Sequence, residues 1–286
     1  MKHTRGERVF YAINALLLAI VGIVCLFPFL YVISVSLTPL TEVMKHNGFL
    51  VIPRDVTFAA YKQVFNQSSI PQGFKNTVII TLVSVVLSLV VTSLMAFGLA
   101  KKEVPGRKIY LFLVVFTILF HGGIIPTFLV VKSVGLLNSL WALIIPNMIV
   151  PLNLLIMKTF FEQIPPELED AAVIDGSGEY GILRHVVLPL SAPVLATIGL
   201  FYAVQNWNIY FLGILYISDP HLYPLQVVLR QLFAAPDPTF MNAEVAVPPE
   251  TMKMAAVVVS TLPIVMVYPF LQKYFVKGAN LGAVKG

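Results

Sequence analysis

Six apolar stretches constrain this chain more than any other feature: about Phe10–Leu37, Thr77–Ala100, Ile109–Val131, Leu140–Met157, Leu190–Ile217 and Met254–Leu271, none holding an Asp, Glu, Lys or Arg. A helix needs about 20 apolar residues to cross the hydrocarbon of a bilayer. Inside lipid the backbone must satisfy its own polar groups, which leaves helices or closed barrels, and continuous apolar runs of this length read as helices. Composition agrees: 58% of the 286 residues are apolar and 12% charged, against about 25% charged in an ordinary soluble domain. The expected fold is an all-α membrane protein, one transmembrane domain over residues 1–286 with six transmembrane helices. The fourth stretch is short and carries Pro146 and Pro151, so a kinked helix is expected there. The first follows Lys2, Arg5 and Arg8 but is far longer than the apolar part of a secretion signal, so no cleavage is expected.

Six crossings place both termini on one side, and Lys and Arg decide which side. Lys2, Arg5, Arg8, Lys101, Lys102, Arg107, Lys108, Lys158, Arg184, Lys273, Lys277 and Lys285 fall on the termini's side. Lys45, Arg54, Lys62, Lys75, Lys132, Arg230 and Lys253 fall on the other. The termini and the short "KKEVPGRK" loop are therefore expected in the cytoplasm, with Thr38–Asn76 and Ser218–Lys253 outside. The net charge of +5 is spread between apolar blocks without an aromatic-interleaved basic face, so nucleic acid is not an expected partner. Cys25 is the single cysteine and reads as a packed thiol.

Ion-driven carriers keep a charge partner at membrane depth. Here the spans offer only His121, beside Gly122-Gly123, where a helix-breaking structural role competes with a functional one. No internal repeat of the kind many carriers show links the two halves. The Gly-rich tail "KGANLGAVKG" lacks the Gly-Lys-Ser/Thr of a phosphate-cradling loop. No metal-ligand spacing or nucleophile elbow is visible, so the chain is not expected to be an enzyme.

One polar segment remains, 158–189, between the fourth and fifth stretches. It contains "PPELEDAAVIDGSGEYGILRHVVLPLSAP" over Pro165–Pro193. Pro165-Pro166 suits a helix start. Glu167, Glu169 and Asp170 place negative charge at the positive end of that helix. Ala171-Ala172 leave a low face for another surface. Asp175, Gly176, Ser177 and Gly178 predict a stop, because Gly tolerates the left-handed residue of a helix cap. A return helix of about Glu179–Val187 follows, and Leu188-Pro189 begin the next span. Long connections with their own structure are usually functional.

These residues resemble the coupling motif of ATP-binding-cassette importer permeases: Glu-Ala-Ala, three residues, Gly, nine residues, Ile-x-Leu-Pro. The chain reads Asp170-Ala171-Ala172, then Gly176, then Val186-x-Leu188-Pro189, with every interval kept. It departs in Asp170, one methylene shorter than the motif Glu, and in Val186. Over its whole length it is similar to the carbohydrate-uptake branch, in particular the maltose-system-like second permease. The resemblance implies a type I importer permease fold, with Glu169, Asp170, Ala171, Ala172, Asp175, Gly176, Leu188 and Pro189 at the contact with an ATPase. It further implies a homologous second permease, two copies of an ATPase subunit that bind the ATP and Mg, an extracytoplasmic solute-binding protein, and residence in a bacterial cytoplasmic membrane. No cofactor is expected in the chain itself.

The cargo of such a system would be a sugar or oligosaccharide. Sugars are held by amides and flat rings, and "FYAVQNWNIYF" supplies Tyr202, Gln205, Asn206, Trp207, Asn208 and Tyr210, while the fourth stretch adds Asn147 and Asn153. Two readings compete for each amide: lining of the translocation path, and hydrogen bonding between helices. Two residues along a helix is a turn of about 200°, so Asn206 and Asn208 are not expected to face one cavity together. An ion-coupled carrier, and the same machinery carrying another solute, remain the alternatives. Polyamines are disfavoured, since they would want carboxylates within the spans.

Overall fold

The computed structural model describes residues 5–46, 50–66, 69–234 and 249–283. Lys2 of the basic head, residues 235–248 of the expected external loop and the last three residues of the Gly-rich tail lie outside the described residues. All regular structure among the described residues is helical. In order these are α1 Arg5–Ser36, α2 Leu40–Lys45, α3 Ala59–Asn66, α4 Ser69–Ala100, α5 Arg107–Leu119, α6 Ile124–Ser133, α7 Trp141–Ile144 and α8 Pro151–Phe161. Then come α9 Pro166–Ile174, α10 Glu179–Ile182, α11 Leu188–Leu190, α12 Ala192–Trp207, α13 Phe211–Tyr216, α14 Leu225–Ala234 and α15 Pro249–Ala283.

Among the described residues, three helices are long and apolar enough to cross a membrane unaided: Val9–Ser36, Ser69–Ala100 and Glu250–Val267. Three further apolar segments are bent pairs, which bring the number to six if each pair makes one crossing. The third stretch is therefore not one helix. α5 and α6 meet at 116°, with His121 exposed in the break and Gly123 at φ +87°. Side chains other than Gly rarely adopt that conformation. The fourth stretch bends by 50° between Trp141–Asn147 and Pro151–Phe161. Pro146 lies in a 3₁₀ turn over Ile145–Asn147 and Pro151 opens α8, where its missing N–H costs nothing. The fifth stretch also departs from expectation: Leu188-Pro189 close the return helix, a bend of 83° follows at Ser191, and α12 ends at Trp207.

The chain groups into two compact units, Met1–Pro71 with Leu229–Leu262, and Gln72–Val228 with Pro263–Gly286. In the first, the end of α1 is tied down by Ser36 Oγ to Tyr61 Oη at 2.7 Å and by the Thr57 amide donating to the Leu37 carbonyl at 2.8 Å.

The second unit is organised along α4. At one end Ile80 packs with Val131, Ala142–Ile144, Ile209, Tyr216 and Ile217. At the other, Ala96, Phe97 and Leu99 pack with Leu154, Met157 and Phe161 of α8, Ile182, Leu183 and Val187 of the return helix, and Val194, Ile198 and Tyr202 of α12. Along its length α4 presents a buried row of hydroxyls, Thr77, Thr81, Ser84, Ser88 and Thr92. Small polar side chains let helices approach closely in lipid. Thr77 accepts from the Leu225 amide at 2.8 Å and Thr92 bonds Tyr202 Oη at 2.8 Å. The Tyr202 hydroxyl also accepts from the Val150 amide at 3.2 Å. One buried phenol thus joins α4, α12 and the kink before α8. Tyr202→Phe removes both bonds and leaves the half-buried Val150 amide and the buried Thr92 hydroxyl without this partner, a cost of about 1–3 kcal/mol. The variant should melt at a lower temperature in detergent than the parent; an unchanged melting temperature would show that this junction contributes nothing.

Candidate functional site

The acidic segment forms a two-armed unit. α9 begins with Pro165 as its cap and Pro166 as its first residue, with Glu167 and Glu169 in the first turn. Its end is a Schellman arrangement: the Gly176 amide donates to Val173 O at 2.9 Å and the Ser177 amide to Ala172 O at 2.9 Å. Gly176 has φ +83°, and a Cβ built there meets no atom within 4 Å. The demand for Gly is therefore conformational rather than steric.

The return arm runs Glu179–Leu190 as α10, a π turn over Leu183–Val187, and α11. Pro189 has no N–H to donate and its ring crowds the preceding turn. A widened turn just before it relieves that conflict. Ile182, Leu183 and Val187 are buried among α4, α8 and α12. The other faces of the unit are open. Asp170, Ala171, Asp175 and Gly176 are exposed, Ala172 is half-buried, and Asp170 forms no ion pair among the described residues. Ile174 is 85% exposed and Tyr180 69%, an apolar tip beside the acidic turn that sequence reasoning passed over.

Two basic residues of the "KKEVPGRK" turn hold the unit. Lys101 pairs with Glu169 and lies 3.4 Å from Glu179. Arg107 pairs with Glu162, donates through Nε to Leu99 O at 2.8 Å, and shares Glu162 with Lys158, 2.7 Å away. Burial works to lower the Lys101 pKa, but the bond to Glu169 and the charges of Glu169 and Glu179 outweigh it, and the pKa is raised. A raised lysine pKa stabilises below the ordinary lysine range and is lost only as pH climbs through the raised value, so the clamp's ammonium is charged throughout the neutral range.

The amide-rich segment divides by burial. Asn153, Tyr202, Asn206 and Trp207 are buried, Asn147 and Tyr210 half-buried, and Gln205 and Asn208 exposed. Asn206 donates to Tyr202 O and Asn208 to Val204 O, both at 2.8 Å, and Asn147 to Leu143 O at 3.3 Å. Each side-chain nitrogen is turned back on its own helix, so these bonds do not bridge helices. Trp207 sits edge-on to Phe74 with centroids 5.7 Å apart. Asn206 and Asn208 do part company, as the helical rotation requires, and Asn208 already stands at the end of α12.

Residues 93–280 match the model of the family described as binding-protein-dependent transport system inner membrane component. The chain belongs to that family. The match takes in both arms of the acidic unit and the whole of α12. Along its entire length the permease is 47% identical to Protein LplC of Bacillus subtilis (strain 168), covering 98% of that protein. It is 46% identical over 93% of its length to the polygalacturonan/rhamnogalacturonan transport system permease protein YtcP of the same organism, covering 94% of it. Its fold is similar to a chain in the crystal structure of a bacterial ABC transporter involved in the import of the acidic polysaccharide alginate. That likeness has a TM-score of 0.91 and 33% identity over 96% of this chain and 99% of that one. Membership, together with the likeness to a chain of an ABC transporter, sets aside the ion-coupled carrier.

Gly176→Val puts a β-branched side chain at a positive φ, where such residues are genuine outliers. It should leave the bundle folded, since a Cβ there meets no atom within 4 Å, and displace the arms of the elbow. Solute uptake by the assembled importer should fall while the melting temperature of the permease stays near that of the parent. Normal uptake would show that the elbow angle is irrelevant.

Proposed function

We propose that this chain is a transmembrane permease subunit of an ATP-driven, binding-protein-dependent importer that moves an oligosaccharide into the cytoplasm. The observation that carries the reading is the acidic helix with an open outer face and a return arm rooted in the bundle core. In that reading the unit 158–189 faces the cytoplasm, both termini lie on the same side, and the α5–α6 pair, the Trp141–Phe161 pair and α12 complete six crossings of the bacterial cytoplasmic membrane. The Asp170 turn and the Ile174–Tyr180 tip seat in a cleft of an ATPase subunit. Two copies of that subunit bind ATP and Mg and perform the hydrolysis. A homologous second permease completes the membrane channel, and an extracytoplasmic solute-binding protein delivers the cargo.

The names of the relatives support a carbohydrate, and uronate-containing chains above others: pectic polymers for one and alginate for another. The spans lack Lys and Arg, so a sugar carboxylate on the path is met by neutral donors. Gln205 and Asn208, the exposed amides at the end of α12, together with Asn147 and Tyr210, are the candidates for that role. Tyr202 and Asn206 are committed to the packing of the bundle.

Asp170→Ala removes one partner of a charge-assisted contact, a loss of about 2–5 kcal/mol when the pair is desolvated. It should reduce recovery of the ATPase with the tagged permease and abolish uptake, whereas Asp170→Glu, the family's usual residue, should retain both. Full recovery and uptake by Asp170→Ala would overturn the coupling role. For the path, Asn208→Ala should lower uptake of oligogalacturonate in proteoliposomes more than Asn206→Ala does at equal melting temperature. Equal and normal uptake by Asn208→Ala and Gln205→Ala would remove this segment from the path.

A further inference from the structure

The basic turn 101–108 does more than mark the side of the membrane. Lys101 leaves the C-terminal end of α4, where the helix dipole favours a cation. Its ammonium reaches both arms of the elbow at once: Glu169 in the first turn of α9 and Glu179, the first residue of α10, at 3.4 Å. The same ammonium lies 4.9 Å from the centroid of the Phe97 ring, in the core at that end of α4. Arg107 holds the entry to the segment through Glu162 and ties the turn to the Leu99 carbonyl. The elbow is therefore braced from outside its own chain segment, by a residue the importer motif does not contain.

We propose that Lys101 is a positioning residue for coupling: it fixes α9 against α10 across Gly176, so that a displacement of the acidic helix moves the return arm instead of flexing the elbow. Gly176 alone does not supply this stiffness, since nothing packs within 4 Å of the Cβ position there. The buried return arm is rigid through its contacts with α4, α8 and α12, but α9 has no buried residue. Without the brace, α9 is held to the bundle by its two ends, its capping bonds and the small side chain of half-buried Ala172 against the core. The proposal rests on the coupling reading given above.

The test uses the complete importer, permeases and ATPase together, in proteoliposomes loaded with ATP, with the solute-binding protein and oligogalacturonate outside, and the same membrane complex for hydrogen exchange. In Lys101→Met the ATPase should still co-purify and hydrolyse ATP, but solute imported per ATP should fall about tenfold, within the usual range of coupling energies. Amides of residues 169–182 should exchange faster. Lys101→Arg should retain most of the ratio, and Lys101→Glu combined with Glu169→Lys should recover part of what either single change loses. Glu179→Gln lies on an exposed side chain and removes one arm of the brace without threatening the fold, so it decides the matter should Lys101→Met not assemble: it should lower the same ratio and speed the same amides. A parental import ratio together with unchanged exchange in Lys101→Met, or in Glu179→Gln where that variant decides, overturns the proposal. Failure of the coupling reading itself is distinct: Asp170→Ala would then assemble and import normally, while the exchange rates would still report whether Lys101 braces the elbow.

Discussion

The structure depends on the burial of three residues of the return arm, Ile182, Leu183 and Val187, among α4, α8 and α12. Each side chain of this size gains about 1.5–3 kcal/mol on leaving water. That burial makes a polar excursion part of the bundle instead of a connection outside it. The acidic arm, by contrast, has no fully buried residue and meets that core through half-buried Ala172. One arm is committed to the spans and the other remains available to a partner. A loop that was polar on both arms would have no grip on the membrane helices, and one apolar on both would have no face to offer.

α4 carries the load between the two apolar clusters, and its composition explains how. A wholly apolar helix of this length would slide against its neighbours with little preference for register, since lipid is as apolar as they are. The hydroxyl row supplies the preference. Thr77 fixes the start of α14, and Thr92 fixes Tyr202 and through it the kink at Val150. The Thr81, Ser84 and Ser88 hydroxyls between them have no protein partner among the described residues. They act there by being small, on the stretch where Leu89 comes within 3.3 Å of a Cβ position at Gly199.

The elbow was legible in the sequence because its signals are local and chemical. A helix that starts on Pro-Pro with an acidic turn, and a Gly at the one position that needs positive φ, leave few other structures. The bends were less legible. Hydropathy records how apolar a segment is but not its direction, so "FHGG" (Phe120–Gly123) looked like the interior of one long span and "LSAP" (Leu190–Pro193) like the straight start of another. Gly123 and Pro193 were the signals that could have marked them. The interhelical reading of Asn147, Asn206 and Asn208 failed for another reason. A side-chain nitrogen can reach the carbonyl one turn back as readily as a neighbouring helix, and nothing in the sequence separates the two. The clamp at Lys101 and Arg107 joins residues far apart in the chain, so charge counting saw only a vote for topology.

The bend at Ser191 connects these features. Below it the return arm is held by the core, and above it α12 runs 16 residues from Ala192 to Trp207, about 24 Å at the helical rise. Tyr202 anchors that helix some two-thirds of the way along, and the exposed amides Gln205 and Asn208 lie just past the anchor. Ser191 itself is fully buried, and its amide is claimed by Val187 O at 3.0 Å, so the joint is packed and hydrogen-bonded, not loose. In the proposed importer, a push on α9 is therefore delivered across a stiff corner to a helix whose far end carries the polar groups. That arrangement requires the corner to keep its angle, which the π turn and Pro189 set on one side and Pro193 on the other. The two prolines flanking Ser191 restrict the backbone at the place where a flexible corner would let the motion dissipate.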